Sequence, residues 1–159
     1  MSADVSTRER WLVDLREATG QILPGLDYST EIVSTDRHGL GETLVLTDGT
    51  KAVGMSLLWL VSGWEEWGVD RAMVQIMALH PNCTDDGTFR TLVTASETLA
   101  RAHGKRTLVV AANGRHAWAL ERLLQEGYRV ERAVLRMVLK GREGEVSTDS
   151  WVDLSRWAG

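Results

Sequence analysis

The sequence predicts an α/β fold with a mixed, mostly antiparallel sheet flanked by helices. Two strand patterns joined by the turn dipeptide Asp48-Gly49 indicate an antiparallel hairpin over 43–61. Farther along, strand patterns over 71–81 and 106–112 enclose a helical pattern over 89–103. A strand–helix–strand crossover of this kind joins parallel strands. A hairpin and a crossover within 159 residues therefore give a mixed sheet.

A helix is expected over 6–19, ahead of the hairpin. Ser6 and Glu9 have the spacing of a capping box, and the apolar residues that follow recur at helical intervals. We expect Gly20 to end this helix. The next stretch, 21–41, is rich in turn residues and predicts only a short strand or helix.

The second half of the chain continues the alternation of strands and helices. The unbroken apolar run over 106–112 is typical of a strand buried on both faces. A helix is expected from 117 to 124 and ends before Gly127, and 129–139 alternates like a strand. Four residues of the two later helices are expected in the core: Leu92, Val93, Leu120 and Leu124.

Composition excludes several classes of function. Lys and Arg number 18 against 22 Asp and Glu, so the net charge is −4, which argues against a general nucleic-acid binder. No apolar run reaches the roughly 20 residues of a membrane span. The polar first ten residues lack a secretory pattern, so we expect a cytoplasmic protein. The single cysteine, Cys83, and four scattered histidines predict neither an internal disulfide nor a metal site.

The chain is expected to form one domain over 1–141, with a tail over 142–159. Trp151, Val152, Leu154 and Trp157 give this otherwise polar tail an apolar side. We therefore expect it to dock on the body of the protein or on a partner.

Four segments together carry a family resemblance: GLGETLVLTDGTKAVG (39–54), MALHP (77–81), the run LARAHGKRTLVVAANGRHAWALERLLQEGYRVERAVLRM (99–137) and WVDLSRW (151–157). Their order resembles the GNAT superfamily, the GCN5-related N-acetyltransferases. It is most similar to the C-terminal GNAT-like half of tandem bacterial GNAT proteins. The resemblance implies a GNAT-like fold and an acyl-CoA-dependent N-acetyltransferase that uses acetyl-CoA. The acceptor would be a small-molecule or protein amine.

The resemblance also implies a cofactor site. Pantetheine would lie against the backbone at the end of the 71–81 strand. The pyrophosphate would lie on the loop and helix N-terminus that follow, where free amides and the helix dipole favour an anion. The positions implied are Met77, Ala78, Leu79, Gly87, Thr88, Arg90 and Asn113. Asn113 could instead be a turn residue, and Arg90 could instead be a solvated surface arginine.

The catalytic candidates are Glu65, Glu66 and His80. The two glutamates lie between Trp64 and Trp67, so they could hold and deprotonate an ammonium acceptor, or the segment could be a contact patch. His80 follows the strand at the implied thioester position and could act as a base or have a structural role. Cys83 is expected to be inert, because the acidic residues Asp85 and Asp86 lie close to it in the sequence and disfavour a reactive thiol.

The chain departs from the family pattern in the phosphate loop. Of the glycines usual there, only Gly87 remains, and Asp85 and Asp86 would repel a phosphate unless they serve as a helix cap. Leu123 stands where the family often has a tyrosine acid. One alternative is therefore a degenerate GNAT-fold domain without acyl-CoA binding, an interaction or regulatory module that forms a homodimer. Another is a module that binds an uncharged or cationic small molecule.

Overall fold

The structure, a computed structural model, describes residues 4–61, 69–112, 117–133 and 152–153. The helices are α1 (Val5–Ile22), α2 (Ser29–Arg37), α3 (Asp86–Ala102) and α4 (Ala117–Gln125), with a 3-10 turn over Pro81–Cys83. The strands are β1 (Gly41–Asp48), β2 (Lys51–Trp59), β3 (Arg71–Leu79), β4 (Thr107–Val110) and β5 (Val152–Asp153). Within these ranges, no helix combines the length and apolar character needed to cross a bilayer.

The strands form one mixed sheet in the order β1-β2-β3-β4. β1–β2 and β2–β3 are antiparallel, and β3–β4 is parallel. β5 also pairs with β3, antiparallel. The prediction of a mixed, mostly antiparallel sheet is confirmed, and so is the hairpin, in which Asp48 pairs with Lys51 across a turn with Gly49 at φ 61°.

Hydrophobic clusters cover both faces of this sheet. One cluster joins α1 and α2 to the sheet through Leu15, Ile22, Ile32, Met55, Leu57, Ile76 and Ala78. The other joins α3 and α4 to it through Leu58, Val74, Met77, Leu79, Phe89, Leu92 and Leu123. Because side chains alternate between the faces of a strand, neighbouring residues of β3 supply both clusters.

The predicted N-terminal helix exists, but its ends differ from the expectation. Asp4, not Ser6, is the N-cap: its Oδ1 accepts the N–H of Thr7 at 3.0 Å. Gly20 does not end the helix, which continues to Ile22. A glycine costs a helix about 1 kcal/mol against alanine, and buried neighbours such as Ile22 offset that cost.

Two further expectations about elements are corrected. β4 is only four residues long, with Thr107 exposed and the other three half-buried, so it is not buried on both faces. The helix expected to start at 89 begins at Asp86, because Asp85 caps it.

The expected core is confirmed in α3 and only partly in α4. Leu92 and Val93 are buried, whereas Leu124 is 45% exposed and Leu120 half-buried. α4 buries Ala119 and Leu123 instead. The strand predicted over 129–139 is irregular through residue 133, and its remainder lies outside the described residues.

Candidate functional site

The sheet divides at the C-terminal half of β3. β4 pairs with β3 only from Arg71 to Val74. The other edge of β3 stays paired with β2 as far as Leu79. In the described part of the chain, the next three residues of β3, 75–77, therefore have no strand partner on the β4 side.

Backbone direction at the end of β3 follows from one hydrogen bond. The N–H of His80 donates to the carbonyl of Val53 at 2.8 Å, so this N–H faces β2. Along a strand, successive residues direct their N–H and C=O groups to opposite edges. The N–H and C=O of Leu79 and Met77 therefore face the opposite edge, where β4 has left.

The three residues implied for pantetheine, Met77, Ala78 and Leu79, are all buried. β2 approaches them closely at Gly54: a Cβ on Gly54 would lie 2.6 Å from Leu79 Cδ2 and 3.1 Å from the carbonyl oxygen of Ala78. The absence of a side chain at Gly54 thus lets β2 hold the end of β3 in place.

The N-terminus of α3 follows this strand end after a short turn. Asp85 caps it, with Oδ1 accepting the Thr88 N–H at 2.9 Å and Oδ2 accepting the Thr88 hydroxyl at 2.6 Å. These hydrogen bonds hold the pKa of Asp85 below its usual value. Thr88, implied as a phosphate contact, therefore directs both of its donors to a carboxylate of the chain itself.

Two ion pairs join α4 and the residue after it, Glu126, to the first turns of α3. Arg122 Nε lies 2.8 Å from Asp86 Oδ1, and Arg90 Nη2 lies 2.6 Å from Glu126 Oε1. Arg90, also implied as a phosphate contact, thus already has a carboxylate partner. Both pairs are partly exposed, so they add little stability, but they place two guanidinium groups beside the helix N-terminus.

Sequence reasoning missed the α4 residues of this contact. The Arg122 guanidinium lies 5.8 Å from the ring centroid of Trp118, whose ring centroid lies 5.3 Å from that of Phe89. Trp118 and Arg122 are four residues apart, and this spacing on one helical face was the available signal.

No family model and no curated protein matches the chain. Solved structures do. The complex of AAC(6')-Iy with the bisubstrate analogue CoA-S-monomethyl-acetylneamine has a TM-score of 0.63 at 11% identity, over 81% of this chain and 91% of that one. A Trypanosoma brucei acetyltransferase has 0.64 at 17%, over 82% and 94%. A transcriptional regulator from Bacillus halodurans C-125 has 0.65 at 18%, over 87% and 97%. The chain has the GNAT fold.

Within this GNAT fold, His80 has a defined structural role. It is the N-cap of the turn at 81–83, and its Nδ1 accepts the N–H of Asn82 at 3.1 Å. That bond places the neutral ring's proton on Nε2. The geometry therefore supports the structural alternative for His80 better than the base.

Of the other candidate residues, the structure describes some and not others. Leu123 is buried in the α3–α4 cluster, so no phenol stands at its position. Glu65 and Glu66, with Trp64 and Trp67, lie outside the described residues, and so does Asn113.

Tyr128 lies close to Leu123 in sequence but far from the α3 N-terminus. Its hydroxyl donates to Glu97 Oε1 at 2.8 Å, and burial together with Glu97 raises its pKa, so it stays protonated. Glu97 is eleven residues after Asp86, about 16 Å along the helix. Tyr128 therefore ties the chain to the middle of α3.

Gln75 lies where β4 has left β3. Its side chain is buried, and neither amide atom has a hydrogen-bond partner in the described part of the protein. In the same ranges, no three His, Cys, Asp or Glu residues come close enough together to hold a metal ion. Gln75 is thus a buried polar group at the division of the sheet.

Proposed function

We propose that the chain is an acyl-CoA-dependent N-acetyltransferase that transfers an acetyl group from acetyl-CoA to an amine. The observation that carries the proposal is the departure of β4 from β3 at Val74. It leaves the backbone groups of Met77 and Leu79 directed to the edge without β4, and α3 begins after the short turn that follows this end of β3. AAC(6')-Iy, which shares the fold, was solved with a CoA bisubstrate analogue.

The residues present fit the cofactor in most respects. The backbone of Met77 and Leu79 would hold pantetheine, and the first turn of α3 at Gly87 would meet the pyrophosphate. Arg90 and Arg122 would turn from Glu126 and Asp86 to the phosphates. The carboxylate of Asp85 is the misfit, because it is an anion at the same helix end.

The chemistry requires an activated acyl group and control of one proton. When bound, acetyl-CoA supplies a thioester carbonyl open to attack by an amine. We assign deprotonation of the acceptor to Glu65 or Glu66, since a carboxylate also attracts the ammonium form. The neutral ring of His80 carries its proton on Nε2. His80 is therefore able to donate a hydrogen bond from that atom, and we do not assign it as the base.

A small-molecule amine is the preferred acceptor class. AAC(6')-Iy, which has a similar fold, is an aminoglycoside N-acetyltransferase, and the analogue bound to it carries an acetylneamine portion. A protein amine is the second arm of the acceptor test.

A second candidate is a GNAT-fold module that does not bind acyl-CoA. It would form a homodimer and act as an interaction or regulatory module. The observation favouring it is the Asp85 cap, which commits the Thr88 donors to the chain itself. The similar Bacillus halodurans protein is described as a transcriptional regulator.

Isothermal titration of the purified chain with acetyl-CoA tests the proposal, with desulfo-CoA as the matched ligand. Saturable micromolar binding is expected, followed by release of free CoA thiol when aminoglycosides, polyamines or lysine peptides are added. Absence of binding at millimolar acetyl-CoA rejects the transferase. Light scattering would then decide whether the chain is the homodimer that the second candidate requires.

A further inference from the structure

β5 occupies the edge of β3 that the proposed cofactor needs. Val152 lies opposite Leu79, and Asp153 lies opposite Ala78. Both β3 residues already pair with β2 on their other edge, through Gly54 and Met55. Because a strand has two edges, β5 must lie on the side that β4 has left.

The pairing involves the backbone groups that face this edge. Leu79 directs its N–H and C=O away from β2, and Val152 is its direct antiparallel partner. In such a pair, the two residues exchange both of their backbone hydrogen bonds. The N–H of Val152 therefore donates to the carbonyl of Leu79, and the N–H of Leu79 donates to the carbonyl of Val152.

We propose that the Val152–Asp153 segment is an internal competitor of acyl-CoA for the edge of β3 at Leu79. This proposal rests on the proposed function, because the GNAT resemblance assigns the same backbone groups to pantetheine. β5 and pantetheine cannot both lie along this edge and accept the single N–H of Leu79. The segment must leave Leu79 before the cofactor binds there.

The competition weakens the apparent affinity without any new contact to the cofactor. The apparent Kd equals the intrinsic Kd divided by the fraction of molecules with an open edge. If β5 covers the edge in about nine molecules of ten, binding weakens about tenfold. In the described part of the chain β5 spans two residues, and we expect a cofactor of micromolar affinity to displace it.

Val152→Pro tests this relationship in the 159-residue chain. Proline has no N–H to donate to Leu79, whereas the matched control Val152→Ala keeps that donor. In titrations with acetyl-CoA, we expect Val152→Pro to bind about three- to tenfold more tightly than wild type. Val152→Ala should remain within a factor of two of wild type.

Amide hydrogen exchange supplies a readout that needs no cofactor. The Leu79 N–H should exchange faster in Val152→Pro than in wild type and in Val152→Ala, with unchanged exchange at His80, which bonds to β2. Unchanged exchange at Leu79 in Val152→Pro would show that β5 does not cover this edge and would overturn the proposal.

The two proposals fail in different ways. Faster Leu79 exchange in Val152→Pro, with no acetyl-CoA binding by either protein, would reject the transferase and with it the role as competitor, while keeping β5 as a structural strand. Binding by both proteins with equal Kd would keep the transferase and overturn the competition alone.

Discussion

The carboxylate of Asp85 bonds to both the backbone N–H and the hydroxyl of Thr88, at 2.9 and 2.6 Å. An anion of the chain thus lies at the N-terminus of α3, where the GNAT fold is expected to take a pyrophosphate. A bound phosphate would have to displace this carboxylate or bind beside it. The affinity for acetyl-CoA should therefore depend on the charge at position 85.

Asp85→Asn removes the charge and keeps a cap, because asparagine and aspartate cap helices about equally well. We expect acetyl-CoA to bind roughly fivefold more tightly, the effect of one unit charge at about 4 Å in water. The melting temperature should stay close to that of wild type. Asp85→Ala is the matched variant without a cap and should melt several degrees lower. Weaker binding by Asp85→Asn would show that Asp85 assists the ligand instead of opposing it.

Arg122→Ala should weaken acetyl-CoA binding by about five- to tenfold, since it removes a cation able to form a charge-assisted hydrogen bond with the pyrophosphate. Titrations at two salt concentrations should show a smaller salt dependence for this variant. Arg101→Ala is the control, because Arg101 forms a similar exposed ion pair with Glu97 toward the other end of α3. Equal affinities for the two variants would remove Arg122 from the site.

Ser96→Ala should destabilise the protein by about 1–2 kcal/mol, because it leaves the buried hydroxyl of Ser56 without its partner. The two Oγ atoms are 2.9 Å apart, and both residues are fully buried between α3 and β2. Urea unfolding of the single variants and of Ser56→Ala/Ser96→Ala measures the coupling. The double variant should lose less stability than the two single variants combined, and full additivity would contradict a shared hydrogen bond.

Asp4 should make the protein sensitive to acid. Its hydrogen bonds to Thr7 and Ser6 lower its pKa from 3.8 to about 2. A carboxyl whose pKa is lower in the folded state stabilises it above the unfolded pKa. This contribution is lost as the pH falls from about 4 to 2. Melting temperatures of Asp4→Asn should accordingly fall less steeply than those of wild type over this range. An NMR titration midpoint for Asp4 near 3.8 would disprove the assignment.

Much of the fold could be predicted from the sequence, because the patterns that define its elements are local. The Asp48-Gly49 turn and the apolar run of β3 act within a few residues of the elements they define. The cap of α1 was misassigned because Asp4 and Ser6 are both good caps two residues apart. The choice between them depends on where the backbone leaves the helix.

Less of the site could be predicted from the sequence, because the site depends on contacts between segments that are distant along the chain. The pairing of Val152 with Leu79 has no periodicity to reveal it, since two residues are too few to alternate. The ion pair of Asp86 with Arg122 depends on how α4 crosses α3. Neither the positions nor the charges of these residues predict that crossing.

Gln75 shows what a buried polar side chain near the site costs the protein. Among the described residues its buried amide has no hydrogen-bond partner. A buried amide left unpaired lowers stability by about 1–3 kcal/mol compared with a paired one, whereas a methionine of similar volume has no such donors and acceptors to satisfy. In a library screened only for survival of heating, replacement of Gln75 by methionine should therefore be enriched. A second screen would also select for transfer activity. If glutamine is then the residue retained at this position, that result would show that Gln75 lowers heat resistance and supports catalysis.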